Sequence, residues 1–291
     1  MSKGNGLIVS RFGAEVLLQD AEGAVHRAAV RRKLSDIVVG DRVEYQCPRP
    51  DEWVVTAILP RDNTLVRQYF RGRPRQIAAN IDQVVLVIAP CPAPDWQMVD
   101  NLLASVRLMP ANAVLLHNKS DFEDSAENLE TLEQYRAMGY PVIDACAHDP
   151  DSLAPLKRQL ADCTSVLIGQ SGVGKTTLAN QLIPGLEAPT RPVSEVSELG
   201  QHTTSAARLY ILPSGGAIID SPGIRDFTPM PIEKSQVQHG FVEFEPFLGQ
   251  CRFHNCLHRD EPGCAIKQAL EQGKISPRRY QSYRALIDVE G

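Results

Sequence analysis

The sequence predicts an α/β protein in three parts: a small β-barrel, a central domain built on a parallel sheet, and a mostly helical module that binds a metal. Three observations predict this. The first 60 residues hold about five short β-rich runs separated by turn residues. From Ile81 onward, continuous apolar strands alternate with helical stretches. Three cysteines and two histidines then crowd into residues 251–264.

A chain of 291 residues accommodates two or three domains and a full core. Its 43% hydrophobic and 22% charged residues are ordinary for a soluble globular protein. The start, Met1-Ser2-Lys3-Gly4-Asn5-Gly6, is polar and carries no secretory signal. No apolar run approaches the roughly 18 residues of a membrane span. The expectation is a cytoplasmic protein with no membrane partner, acting as a monomer. The net charge of −5 gives no global signal for nucleic acid, but it is unevenly spread. Residues 1–75 carry 13 Lys and Arg against 9 Asp and Glu, and the remainder is strongly acidic. Arg31-Arg32-Lys33 and Arg67, Arg71, Arg73 and Arg75 form two basic clusters on or beside the small β-domain. One such cluster reads equally as a solvated face. Two together favour RNA phosphates.

The β-rich runs are Leu7–Ser10, Glu15–Leu18, Ala24–His26, Arg42–Tyr45 and Trp53–Ile58, with turns at Asp20–Gly23, Val39–Asp41 and Pro48–Asp51. They fit an OB-type barrel, which periodicity alone does not separate from an SH3-like one. Residues 61–76 are polar and Arg-rich, interrupted by Gly72 and Pro74, and read as a linker that itself touches RNA. Domain 1 is thus 1–75, the central domain 76–229 and the last module 230–291.

In the central domain, Val84–Ile88 is apolar without alternation, as a strand covered on both faces requires. A helix around Met98–Leu108 follows. Next come strand Ala113–Leu116, helix Ala126–Met138, strand Pro141–Asp144, helix Ser152–Leu160, strand Ser165–Ile168 and helix Thr176–Leu182. After the Pro/Ser/Glu-rich stretch 184–204, Arg208–Leu212 and Ala217–Ile219 are strands.

The chemistry sits at strand ends. Gly169, Gln170, Ser171, Gly172, Val173, Gly174, Lys175 and Thr176 match the phosphate loop in full. Its glycines turn backbone N–H groups toward phosphates, Lys175 neutralises β- and γ-phosphate charge, and the Thr176 hydroxyl ligates Mg2+. Asn118-Lys119-Ser120-Asp121 follows an apolar strand and reads as a guanine clamp. The Asp121 carboxylate suits guanine N1–H and N2–H, Lys119 the base face, and Asn118 the bracing of the loop. Asp220 ends another strand and suits Mg2+, and the Gly223 N–H suits the γ-phosphate. Thr203 and Thr204 lie before that strand, and either hydroxyl fits Mg2+. A Gly-rich turn is the bland reading of the loop, and a plain turn that of Asp220–Gly223. The three motifs together displace both. The guanine clamp precedes the phosphate loop here, the reverse of the usual order, so the domain is a circularly permuted P-loop GTPase. Ile224 stands where Ras-type enzymes place the Gln that orients water, so intrinsic hydrolysis is expected to be slow. His202, beside the threonines, is a candidate substitute. As a bland alternative it is a loop histidine.

Cys251, Cys256, His258 and Cys264 give three thiolates and one imidazole, the set for one closed structural Zn2+. His254 is a competing ligand; His258 is preferred, which leaves His254 free. Cys47, Cys91, Cys146 and Cys163 are scattered and read as reduced, small hydrophobes.

With these residues in hand, the chain resembles the bacterial ribosome small-subunit-dependent GTPase A family over nearly its whole length. The resemblance rests on Ala79–Gln83, Asn118–Asp121, Gly169–Thr177 (Thr177 included), His202–Thr204, Asp220–Gly223 and the zinc spacing. It implies an N-terminal OB domain, a C-terminal zinc domain, and GTP hydrolysis stimulated by the 30S subunit. It also implies action late in that subunit's maturation through 16S rRNA, with GDP and GTP as ligands. Two places depart from the family pattern. Ala145-Cys146 stands where a small polar pair contacts the base, and the N-terminus lacks the long basic extension of some members. The alternative function is a nucleotide-gated rRNA-binding scaffold with negligible turnover.

Overall fold

The computed structural model describes residues 2–67, 74–186, 207–220 and 232–288. His202, Thr203, Thr204, Gly223 and Ile224, with Arg71 and Arg73, lie outside the described residues.

The barrel is made of β1 (Ser2–Phe12), β2 (Glu15–Gln19), β3 (Val25–Val30), β4 (Arg42–Arg49) and β5 (Glu52–Ile58). They close in the order β1-β2-β3-β5-β4 and back to β1. β3 and β5 run parallel, and the other pairs are antiparallel. That ring is OB-type and excludes the SH3-like alternative. One strand serves two neighbours because β1 is long. Ser2–Leu7 pairs with β4, and Leu7–Phe12 pairs with β2 through a bulge between Ile8 and Ser10. Ile8, Val16, Leu18, Val43 and Val55 fill the interior.

Residues 61–76, expected as a linker, include strand among those that are described. They contain β6 (Thr64–Arg67) and the start of β7 (Arg75–Ala79), which pair antiparallel. The cause is burial at one end of the pair: Leu65 and Ala78, opposite each other in the ladder, both belong to the core of the central domain. The barrel is fastened by the same segment. Arg61 grips the fully buried Asp41 with Nε and Nη2 at 2.6 and 2.8 Å. Asn80 Nδ2 donates to Gly40 O at 2.8 Å. A Cβ on Gly40 would lie 2.1 Å from Ala79 O, so only glycine lets the two chains pass.

The central sheet runs β10 (Val142–Ala145), β9 (Asn112–Asn118), β8 (Gln83–Ile88), β11 (Thr164–Ile168) and β13 (Ala217–Asp220), all parallel. β12 (Arg208–Ile211) is antiparallel on β13 and continues onto β1 of the barrel at Ser10–Arg208. All six residues of β8 are buried. Val84, Leu86 and Ile88 pack with α1 (Trp96–Leu108) and α2 (Ala126–Ala137). Val85 and Val87 pack with α3 (Ala154–Leu160) and α4 (Lys175–Leu182) on the other face. This two-sided burial explains the unbroken apolar run. Asp95 caps α1 and Ser125 caps α2, each side chain accepting an N–H of the first turn.

After β13 the described chain resumes with α5 (Lys234–Val237), two 3-10 turns at Gln238–Gly240 and Val242–Phe247, α6 (Ala265–Glu271) and α7 (Pro277–Asp288). Phe241, Phe244, Tyr283 and Ile287 form their own small core. The module is held to the central domain by a buried polar cluster on Asp100 of α1. That carboxylate accepts from Tyr135 Oη, from Arg278 Nη1 at 2.8 Å, from Arg279 Nη1 at 2.7 Å and from Ser282 Oγ at 2.6 Å. Arg279, fully buried, adds a two-pronged pair to Glu243 at 2.6 and 2.8 Å. No helix among the described residues is long and apolar enough to cross a membrane.

Removing one member of a buried charged cluster leaves the rest uncompensated. Asp100→Ala should therefore cost about 3–5 kcal/mol, read as a lower midpoint in urea unfolding, while Asp288→Ala at the exposed end of α7 should change little. Equal effects of the two substitutions would contradict the role assigned to Asp100.

Candidate guanine-nucleotide and zinc sites

The motif residues converge because each follows a parallel strand. Asn118 ends β9, Ala145 ends β10, Gly169 follows β11 and Asp220 ends β13. All lie at the C-terminal edge of one sheet, where open α/β sheets bind ligands.

The phosphate loop is packed tightly against its neighbours. A Cβ on Gly169 would sit 2.1 Å from Val87 O. Gly174 has φ +96°, and a Cβ there would sit 2.3 Å from Asn118 Nδ2. No side chain caps α4 at Gly174, so the first N–H groups of that helix face the loop mouth. The Lys175 ammonium is held at 2.6 Å by the carbonyls of both Gly169 and Gln170, which keeps its charge at that mouth. Thr176 follows as the second residue of α4. Asp220 arrives at the same edge because β13 pairs with β11. A hydroxyl and a carboxylate are hard oxygen donors and suit Mg2+ beside phosphates.

Asn118 is fully buried and joins three loops. Its Nδ2 donates to Val173 O at 2.8 Å, and its Oδ1 accepts from Ala147 N at 3.1 Å. Lys119 adopts a left-handed backbone, φ +58°. Its Nζ reaches Cys91 O at 2.7 Å and Gly172 O at 2.8 Å, so the stem lies across toward the phosphate loop. Ser120 N donates to Ala145 O at 3.1 Å. The Asp121 carboxylate bonds the Cys146 thiol, and this contact together with burial pushes the thiol pKa up. Cys146 thus stays a neutral donor beside the carboxylate that suits a guanine. Ser152 Oγ fixes the same turn, accepting from Cys146 N at 2.9 Å.

Ala147 is a functional residue that residue type does not reveal. Its part is played by a backbone N–H, which leaves no trace in residue type. The only signal was its place next to Ala145-Cys146.

The metal-ligand set lies in the C-terminal module. One ligand atom from each of Cys251, Cys256, His258 and Cys264 falls within 4.8 Å of all the others. Cys251 Sγ and Cys264 Sγ are 4.0 Å apart, and His258 Nδ1 is 3.5 and 3.3 Å from them. Tetrahedral zinc with bonds of about 2.3 Å to sulfur spaces its thiolates about 3.8 Å apart, so the donor set fits. The electrostatics fit too. Burial pushes the Cys256 thiol up to about 12 and raises that of Cys264. Buried thiolates packed this closely are stable only around a cation. Burial lowers the pKa of His258, which favours the neutral imidazole a metal needs. Gln238 Oε1 lies 2.8 Å from His258 Nε2 and turns Nδ1 toward the sulfurs. His254 is exposed and outside the set.

Comparison with known proteins agrees with this architecture. The model of the RsgA GTPase family matches residues 58–229. The small ribosomal subunit biogenesis GTPase RsgA of Ectopseudomonas mendocina is 40% identical over 289 residues, covering 97% of this chain and 84% of the relative. That of Pseudomonas aeruginosa PAO1 is 40% identical over 285 residues with the same coverage. Among solved structures, YjeQ from Thermotoga maritima superposes with a TM-score of 0.80 at 30% identity, covering 98% of each chain. YloQ, described as a circularly permuted GTPase, gives 0.76 at 27% identity over 98% of this chain and 94% of its own. A family model spanning more than half of the chain, and relatives matched almost end to end, establish that this protein belongs to the RsgA GTPase family.

Proposed function

We propose that this protein hydrolyses GTP when it engages the small (30S) ribosomal subunit, late in that subunit's maturation, through contacts with 16S rRNA. The observation that carries the nucleotide reading is the Asn118 side chain, which ties the guanine clamp to both the phosphate loop and the Ala145–Ala147 turn. The names of the relatives support the ribosomal part. In this reading, Asn118 to Asp121 with the Ala145-Cys146 turn bind the base, and Gly169 to Thr177 bind the phosphates. Thr176 and Asp220, with Thr203 or Thr204, hold Mg2+, Gly223 senses the γ-phosphate and His202 assists the water. The barrel region 1–75 grips rRNA, and Arg31-Arg32-Lys33, exposed between β3 and β4, supply phosphate contacts. Residues 76–229 are the GTPase domain, and 230–291 fold around one Zn2+. The work is done in the cytoplasm by a monomer.

Phosphate release from GTP should rise by more than about tenfold on adding purified 30S subunits, about 1.4 kcal/mol of barrier. Slow release unchanged by 30S, with RNA binding still gated by nucleotide, would instead establish the scaffold alternative. Asp121→Asn should move preference from guanine toward xanthine nucleotides in a competition assay, because an amide N–H then meets the xanthine 2-oxo group. An unchanged ranking would remove Asp121 from base recognition. Elemental analysis should give close to one zinc per chain, falling sharply in Cys264→Ser, with about 4 kcal/mol lost from the stability of the module. Protein purified without chelator and free of zinc would refute the metal site.

A further inference from the structure

The barrel reaches the strand pair that carries Asp220. Neighbouring residues of β1 belong to different cores. Ile8 lies in the core of the barrel, and Val9 in that of the central domain, the one that holds Leu209, Ala217 and Ile219. Val9 is the extra residue of the bulge between Ile8 and Ser10, which frees it from the barrel ladder and turns it outward. Ser10 then has a strand on each side, with Leu17 of β2 opposite it on one and Arg208 of β12 on the other. Arg208 in turn lies opposite Asp220 of β13. A single row, Ser10 to Arg208 to Asp220, thus crosses from the barrel to the carboxylate.

β12 and β13 have four residues each and are joined by a tight turn, where Leu212 N donates to Gly216 O at 3.0 Å. A hairpin this short is marginal by itself and takes its place from what flanks it. β11 flanks β13, but its pairing ends at Ile219, one residue before the carboxylate. β1 flanks β12 at the level of Asp220 itself. There the Ser10 side chain, only 1% exposed, adds a directed bond: Oγ donates to Ala207 O at 3.2 Å, at the entry to β12. Mg2+ demands near-ideal octahedral geometry with short bonds to oxygen, so a small shift of one carboxylate is felt. The base and phosphate contacts follow β9, β10 and β11 and do not depend on this corner.

We propose that Ser10 is a positioning residue for the Mg2+ site: with Val9 it ties the β12–β13 hairpin to the barrel and so sets where the Asp220 carboxylate stands. The barrel is then part of the frame of the nucleotide site. This rests on the Mg2+ reading of Asp220.

The test is equilibrium binding of a non-hydrolysable GTP analogue to the full chain, in Mg2+ and in EDTA. The ratio of the two affinities is the enhancement due to the metal. Ser10→Ala should lower that enhancement on the order of two- to tenfold, the range one hydrogen bond spans, and leave binding in EDTA unchanged. Val9→Ala, an independent break of the same junction, should lower it too. Thr56→Ala is the control. It removes a hydroxyl-to-carbonyl bond of equal length within the barrel, Oγ1 to Glu44 O at 3.2 Å, and should change nothing. In an Asp220→Asn background, Ser10→Ala should have no further effect, because its route to the metal is already cut. An enhancement unchanged in both Ser10→Ala and Val9→Ala, or lowered equally by Thr56→Ala, would overturn the proposal. So would a full Ser10→Ala effect persisting beside Asp220→Asn. If Asp220→Asn alone leaves the enhancement intact, the Mg2+ reading of Asp220 falls instead.

Discussion

One buried amide holds the nucleotide site in shape. Asn118 gives its donor to the phosphate loop and its acceptor to the turn after β10, and so ties the two loops through one side chain. Both contacts are buried, so an apolar replacement would leave the Val173 carbonyl and the Ala147 N–H unsatisfied at once. The surrounding backbone is built to let the amide in. Gly174 passes so close to Asn118 Nδ2 that a side chain there would collide with it. The glycines of the loop thus serve two purposes: turning N–H groups toward phosphates, and admitting the clamp.

The barrel and the zinc module are joined to this centre by different physics. The barrel shares a backbone ladder with the central sheet at β1 and β12, backed by Arg61 on Asp41. The zinc module docks through the charged cluster on Asp100, with Gly240 pressed against Ala104 of α1. Buried ionic clusters contribute less net stability than their count suggests, since desolvation offsets the attraction. They tolerate few alternative geometries, however, because any displacement leaves a charge unpaired. A module with a small core of its own gains a fixed seat in this way.

The sequence made the parallel sheet and the motif positions legible because both depend on residue type. Val84–Ile88 is apolar throughout since both of its faces are covered, and Gly169–Thr176 needs glycines at set places. The three clustered cysteines were also plain in the sequence, which left His254 competing with His258; the structure gathers His258 with them as a candidate metal-ligand set. Other features hid from the sequence for reasons that are physical. Residues 61–76 look like a linker by composition, yet Leu65 and Ala78 anchor a strand pair, and two buried residues are too few to produce a period. Ala147 acts through its backbone. Asp100 and Arg279 are charged residues in helices, which by pattern alone belong on the surface, and only the approach of α7 to α1 buries them.

The same contacts give the phosphate loop a path to the C-terminal module that does not run along the chain leaving Asp220. Gln170 Oε1 accepts the N–H of Asp95, the residue that caps α1, at 3.1 Å. α1 has 13 residues, a rod of about 20 Å. Along it, Asp100 holds Arg278 and Arg279, Ala104 meets Gly240, and Arg107 Nε donates to His239 O at 3.0 Å. A ligand moves a distant part only through contacts that differ between its states. The contacts of Asp100 are buried and lie further along α1, away from its cap at Asp95. Gln170 lies in the phosphate loop itself, so its bond to Asp95 is the joint in this path that nucleotide can alter. The buried charged cluster at Asp100 ties α1 to α7, so a shift of one without the other would leave charges unpaired.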